Sequence, residues 1–290
     1  MAAITNINNE LSFFDTVKTV LSAYQEVALM KMQESRDSVV VSRQYLEELG
    51  YVYFEVKFSY KKEIQKVRTN DKKPSGVMKK AVVLLTPNEK LSGTVPYDVF
   101  HAFLDYVRNS ENAEAIIIGN VGQTLISRVE NAPSYQFFEL LYGETFEEDI
   151  VNLAYLLKEY DDVVIFHGRF ESLVSQRAAT MPLSGEAPPE VLRLDAAKLD
   201  RMRKTNFLFE PGIKDVVTFF DSQVKAALLR QSVHESRLAQ FASRARAMDE
   251  ALGHVQAQEK KLSTKHRHLS RQKKDKSRLG QLSTVIWALS

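Results

Sequence analysis

Residues Leu238-Ala239-Gln240-Phe241-Ala242-Ser243-Arg244-Ala245-Arg246-Ala247-Met248-Asp249-Glu250-Ala251-Leu252-Gly253-His254-Val255 set apolar side chains at 238, 241, 245, 248, 252 and 255. Alternating steps of three and four put all six on one stripe of an α-helix, the seam by which one helix grips another. The spacing continues through Glu259, Leu262, His266 and Leu269, and because polar residues take some of these positions the seam weakens toward the C-terminus. All eight prolines (74, 87, 96, 133, 182, 188, 189 and 211) lie between Pro74 and Pro211, so both flanks lack the residue that breaks helices. A helix over about 213–290 would be about 115 Å long, and a helix of that length needs a partner.

The first flank supplies one. Ile4, Ile7, Leu11, Phe14, Val17, Leu21, Tyr24 and Ala28 form a second single stripe. An ordinary helical bundle is the plainer alternative, but proline-free helices this long are uncommon in bundles. The middle of the chain has a different pattern. Ala81-Val82-Val83-Leu84-Leu85 and Ala115-Ile116-Ile117-Ile118-Gly119 are continuous apolar runs typical of strands buried on both faces, followed by helical patterns at Pro96 to Asn109 and Gly122 to Val129. A third unit runs from the aromatic stretch Tyr135 to Tyr142, through an amphipathic helix at Glu147 to Tyr160, to Val163-Val164-Ile165-Phe166, with an added edge strand near Leu173 to Ala179. The expected fold is therefore α plus α/β. Segments 1–73 and 212–290 form a long antiparallel two-helix coiled coil, and 74–211 forms a central Rossmann-like α/β domain.

Composition narrows the function. The 290 residues are 44% hydrophobic and 26% charged, as in ordinary soluble chains. No apolar run approaches the roughly 18 residues of a membrane span, and Met1 to Asn6 lacks the basic and apolar regions of a secretion signal. The absence of cysteine removes disulfides, thiolate metal sites and cysteine nucleophiles, and fits a reducing compartment. The formal net charge is only +2, yet Lys260 to Arg278 holds nine Lys/Arg against the single acid Asp275. That run reads either as a solvated helix face or as a binder of phosphates or acidic protein loops, and it lacks the interleaved aromatics that stack on bases.

Motifs for chemistry are absent. There is no GxxxxGK[ST], and Gly119-Asn120-Val121-Gly122 is only a fragment of GxGxxG. His266 and His268 are two residues apart on a helix and face different ways, His234-Glu235 lacks the second histidine of HExxH, and His101 reads as a packed or capping residue. Glu144, Glu147, Glu148 and Asp149 read as favoured charge at a helix start, with Thr145 and Glu148 spaced as a capping box. No catalytic residue, cofactor or metal is expected.

Four segments, in order and over nearly the whole chain, resemble the γ subunit of F-type ATP synthases. Thr16-Val17-Lys18-Thr19 through Ala28-Leu29-Met30-Lys31 is similar to the family's N-terminal helix, with Lys31 on its usual lysine. Thr86-Pro87-Asn88-Glu89-Lys90-Leu91-Ser92-Gly93-Thr94 stands at the family's glycine-rich turn, though without its cysteine and two of its glycines. Phe170-Glu171-Ser172-Leu173-Val174-Ser175-Gln176 resembles a family strand. Phe209-Glu210-Pro211, leading to Glu235-Ser236-Arg237-Leu238 and Ser243 to Asp249, resembles the family's C-terminal helix, followed by the Arg271-Gln272 pair. The chain departs from the family at His234-Glu235-Ser236, at Glu26 and in its charged tail.

The resemblance implies a non-catalytic rotor. The coiled coil would stand inside a ring of α and β subunits, with the lower part seated on an ε-type subunit and a membrane ring of c subunits. It further implies torque contacts at Arg271 and Gln272, a secondary basic set at Lys31, Lys273 and Lys274, and a bearing contact at Trp287. The expected setting is peripheral to a membrane, on the cytoplasmic face of a bacterial inner membrane or the matrix side of a mitochondrial one, in a hetero-oligomer without nucleic acid. The rival readings are another kind of coiled-coil interaction protein and a nucleic-acid binder using the basic helix.

Overall fold

The computed structural model describes residues 2–59, 79–110, 112–140, 146–183, 210 and 212–289. In chain order the elements are α1 (Ala2–Ser59), β1 (Lys80–Leu85), α2 (Val95–Arg108), β2 (Ala113–Ile118), α3 (Asn120–Ile126), β3 (Tyr135–Phe138), α4 (Phe146–Leu157), β4 (Asp162–Phe170), β5 (Gln176–Pro182) and α5 (Ile213–Leu289). They sort into two compact units, Met1–Leu29 with Arg244–Ser290, and Met30–Ser243.

The second unit holds a five-stranded sheet of order β3-β2-β1-β4-β5. Strands β1 to β4 are parallel, and β5 closes one edge antiparallel to β4. Period-two alternation sends successive side chains of the continuous apolar runs to opposite faces. Val82, Leu84, Ala115, Ile117 and Phe166 meet Val95, Val99, Phe103 and Val107 of α2 on one face. Ala81, Val83, Ile116, Ile118 and Ile165 meet α4 through Ile150 and Leu153, and α5 through Val224, Leu228 and Val233. Leu46 and Tyr53 of α1 complete this second core. Within this unit α1 and α5 run antiparallel, because Lys31 meets Phe241, Arg43 meets Glu235, and Tyr53 meets Asp221.

In the first unit the same direction holds, since Lys18 bonds Glu259 and Gln25 bonds Asp249. Its seam uses Ile7, Leu11, Phe14, Val17, Leu21 and Ala28 against Ala245, Met248, Leu252, Val255, Glu259, Leu262, His266 and Leu269, all buried or half-buried. The register that pairs Lys18 with Glu259 brings Ala2 opposite about residue 275, so the end of α5 overhangs α1.

Several local expectations change. Tyr24 is exposed, and the neighbouring Gln25 faces the partner helix instead, because its amide can donate to Asp249. The inward stripe of α1 does not stop at Ala28 but continues through Ser35, Val39, Ser42, Leu46, Tyr53 and Val56. The segment Phe170 to Gln176 is not one strand: residues 171–175 turn between β4 and β5, and Ser172 Oγ accepts from the Val174 and Ser175 N–H groups. His101 is exposed in α2, edge-on to Phe100. The capping box at Thr145 lies outside the described residues.

Candidate functional site

In open α/β sheets ligands bind at the carboxyl ends of the strands, beside helix N-termini and where the strand order reverses. Here the first-turn N–H groups of α3 are already occupied. Gly122 N–H donates to Thr86 Oγ1 at 2.9 Å, Asn120 N–H to Asn88 Oδ1 at 3.2 Å, and Val121 N–H to the Pro87 carbonyl at 3.0 Å. Thr86 in turn donates to the Ile118 carbonyl at 2.8 Å, and Asn88 Nδ2 to that of Leu140 at 2.9 Å. The turn after β1 therefore fastens β1 to β2 and α3, and leaves these amides no freedom to cradle a phosphate.

The strand order reverses between β1 and β4, and α5 fills that position. A Cβ on Gly93, in the turn after β1, would stand 2.7 Å from the Ser243 carbonyl oxygen, and its φ of +69° disfavours any side chain. A Cβ on Gly168 of β4 would stand 3.2 Å from that of Ala239. The approach is possible because α5 presents small residues here: Ser232, Ser236, Ala239, Ala242 and Ser243 are all buried.

A charged cluster sits at this contact. Glu235 is 3% exposed, and its Oε1 accepts from Arg43 Nε at 2.9 Å, Arg43 Nη2 at 2.9 Å and Gln231 Nε2 at 3.0 Å. Burial by itself would lift the Glu235 carboxyl. The hydrogen bond from Gln231, the Arg43 guanidinium and the nearby His167 outweigh it and hold the group below its ordinary 4.5. His167, on β4, is 1% exposed, and burial is the largest influence pushing it below its ordinary 6.5, against the opposing pull of Glu235 and the Gly168 carbonyl. Its Nδ1 lies 3.1 Å from the Gly168 oxygen, which assigns the proton to Nδ1. Among the described residues Nε2 has no hydrogen-bond partner. Arg43 of α1 thus pairs with Glu235 of α5, and His167 of the sheet lies close enough to feel that carboxylate.

Of this cluster the sequence pointed only to Glu235, within the C-terminal helix segment, and not to Arg43 or His167. The usable signal was Gln231 and Glu235 one helical turn apart within a run of small residues, a pattern suited to close packing with an embedded hydrogen bond.

Of the contact residues expected from sequence, Arg271, Gln272, Lys273 and Lys274 lie together on α5, and every residue from Arg271 to Leu279 is exposed. Gln272 Nε2 approaches His268 Nε2 at 3.4 Å. Lys31 belongs to the second unit, where its ammonium lies over the Phe241 ring, 5.7 Å from the centroid. The side chain of Trp287 lies outside the described residues. Among the described residues no cluster of three or more His, Asp or Glu could hold a metal, and no helix is long and apolar enough to cross a membrane.

A family model described as ATP synthase matches residues 3–274. The ATP synthase gamma chain of Nitrosomonas eutropha is 24% identical over 272 residues, covering 87% of each chain. That of Ruthia magnifica is 20% identical over 267 residues, again covering 87% of each. Two cryo-EM structures share the fold. One, of Euglena gracilis mitochondrial ATP synthase, has a TM-score of 0.59 at 14% identity over 99% of this chain and 95% of that one. The other, the central stalk and c-ring of Tetrahymena thermophila mitochondrial ATP synthase, has a TM-score of 0.58 at 17% identity over 80% of this chain and 99% of that one. Two antiparallel helices, a sheet whose ligand position is filled by one of them, and a match over nearly the full sequence lead to one assignment: the chain belongs to the ATP synthase gamma-chain family.

Proposed function

We propose that this chain is the central-stalk rotor subunit of an F-type ATP synthase, transmitting torque between an ion-driven membrane ring and a catalytic ring of α and β subunits. The observation that carries this reading is α5, a continuous helix of 77 residues that is packed into the sheet unit and also forms the antiparallel pair of the first unit. A paired helix resists bending more than a single one, and a shaft without rotational symmetry makes different contacts with each surrounding catalytic subunit, favouring a different nucleotide state in each. Catalysis resides in those partners. The chain itself is non-catalytic and peripheral to the membrane, on the cytoplasmic face of a bacterial membrane or the matrix side of a mitochondrial one. Its sheet domain, 74–211, is inserted between the helical segments 1–73 and 212–290 and seats on an ε-type subunit and the c-ring.

Arg271 and Gln272 are the primary torque contacts. Both side chains are exposed on α5, which leaves them accessible to acidic loops of a β subunit. Lys273 and Lys274 extend that surface, Lys31 is a secondary contact, and Trp287 lies in an apolar bearing of the ring. The test is the double variant Arg271→Ala, Gln272→Ala in the reconstituted complex. Coupled ion pumping is expected to fall several-fold while the chain still assembles; unchanged ATP turnover together with unchanged pumping overturns the assignment of these contacts.

A further inference from the structure

The sheet unit carries a groove that neither the packing of the core nor the torque contacts use. Its walls are α4, through Val151, Ala154, Tyr155 and Lys158, and the first turns of α5, through Asp221, Lys225 and Ala226. Leu157, Val163, Leu183 and Leu229 form its floor, and its volume is about 480 Å³. The floor is buried, but the apolar surface continues onto the rim, where Val151 is 50% and Tyr155 72% exposed. An exposed tyrosine beside a concave apolar strip is the composition of a contact surface with an anchoring aromatic. α4 spans about 18 Å, enough to lie along two to three turns of another helix.

Charge decides what fits. Asp221 already accepts from the Tyr53 hydroxyl. The two lysines, one on each wall, make no ion pair among the described residues, and Lys158 is exposed while Lys225 is half-buried. A groove with an apolar floor and an unpaired ammonium on either side attracts an apolar stripe flanked by carboxylates. We infer that the α4–α5 groove docks an amphipathic helix of a partner protein, with apolar residues one turn apart on the face toward Leu157 and Leu229, and Asp or Glu on its flanks reaching Lys158 and Lys225.

This inference concerns the isolated chain and does not depend on the rotor reading. The probe is a fluorescein-labelled, leucine-striped helical peptide of about three turns with glutamates on both flanks, titrated into the full-length protein by fluorescence anisotropy. The acidic peptide is expected to bind about tenfold more tightly than its lysine-flanked counterpart. Lys158→Glu with Lys225→Glu should reverse that preference, and Ala154→Trp, which fills the groove, should abolish binding of both peptides while far-UV circular dichroism stays unchanged. If the charge exchange alters folding, Lys158→Gln with Lys225→Gln replaces it and should remove the preference. Equal binding of the two peptides, or binding indifferent to Ala154→Trp, overturns the proposal. So does tighter binding of laurate than of the peptide at the same groove, which would make it an amphiphile site.

Discussion

The helix α5 leads two different lives. From Val224 to Ser243 it is buried on nearly every side, between the sheet on one flank and α1 on the other. From Arg246 to Ser270 it is covered along one face only, and Arg271 to Leu279 are exposed. The first length is held as a layer of a folded domain is held, by close packing of small residues and by a hydrogen-bonded charge. The second is held as a coiled coil is held, by a repeat that any single position contributes to only modestly. One helix can thus be enclosed along one length and merely paired along another, with no change of secondary structure between.

That contrast can be broken most severely at Gly93. Gly93→Val places a branched side chain at positive φ against the Ser243 backbone and should cost about 3–4 kcal/mol, read as a lowered midpoint of chemical unfolding. Next is a matched pair along the helix. Leu228→Ala, in the fully buried length, is expected to cost about 3 kcal/mol, and Leu262→Ala, half-buried in the seam, about 1 kcal/mol or less. Equal losses at the two sites would erase the distinction between the two modes of packing.

Acid provides a gentler probe of the buried length. His167 folds with its pKa lowered, so the neutral ring's contribution is fully present above its ordinary 6.5 and falls away as pH drops below that value. Glu235 also folds with a lowered pKa, so its contribution is present above 4.5 and is lost as pH drops through its folded value. Stability should therefore begin to decline below about 6.5 and decline further below 4.5, and His167→Gln should remove the first part of the decline while leaving the second. A decline of the same slope from pH 6.5 to 5 in both proteins sets His167 aside as its source. The smallest effect is expected in the seam. Lys18, paired with Glu259 and Asp15 at the surface, should tolerate replacement by alanine with no measurable shift in the unfolding midpoint, in low or high salt.

Sequence alone revealed much of this architecture where a single physical rule dominated. Proline exclusion and an unbroken three-four repeat gave both long helices, and continuous apolar runs gave β1, β2 and the start of β4, because strands buried on both faces have no polar alternation to obscure them. Rules failed where two environments overlapped. Ser35 and Ser42 interrupt the apolar pattern of α1, yet they are inward positions: Ser35 satisfies its hydroxyl on the Lys31 carbonyl one turn back. Tyr24 looked like a seam residue by hydrophobicity, but an amide with a carboxylate opposite took the inward place at Gln25. The run from Gln231 to Ser236 is polar enough to read as an ordinary coil surface. It is buried because the sheet lies against the face a coiled coil would leave to water, and periodicity within one helix carries no information about a neighbour so distant in sequence. The Glu235 cluster was illegible for the same reason, since Arg43, His167 and Glu235 come from three segments far apart in the sequence.

The core of the sheet unit draws Leu46 and Tyr53 from near the start of the chain and Val224, Leu228 and Val233 from near its end. During synthesis the face of the sheet that α4 only partly covers must therefore wait for its remaining cover until the last quarter of the protein has left the ribosome. Such long-range closure is slow, and it exposes strand surfaces to neighbouring chains in the meantime. A nascent chain of this kind depends on being shielded, or on being finished quickly, in a way that a domain built from contiguous sequence does not.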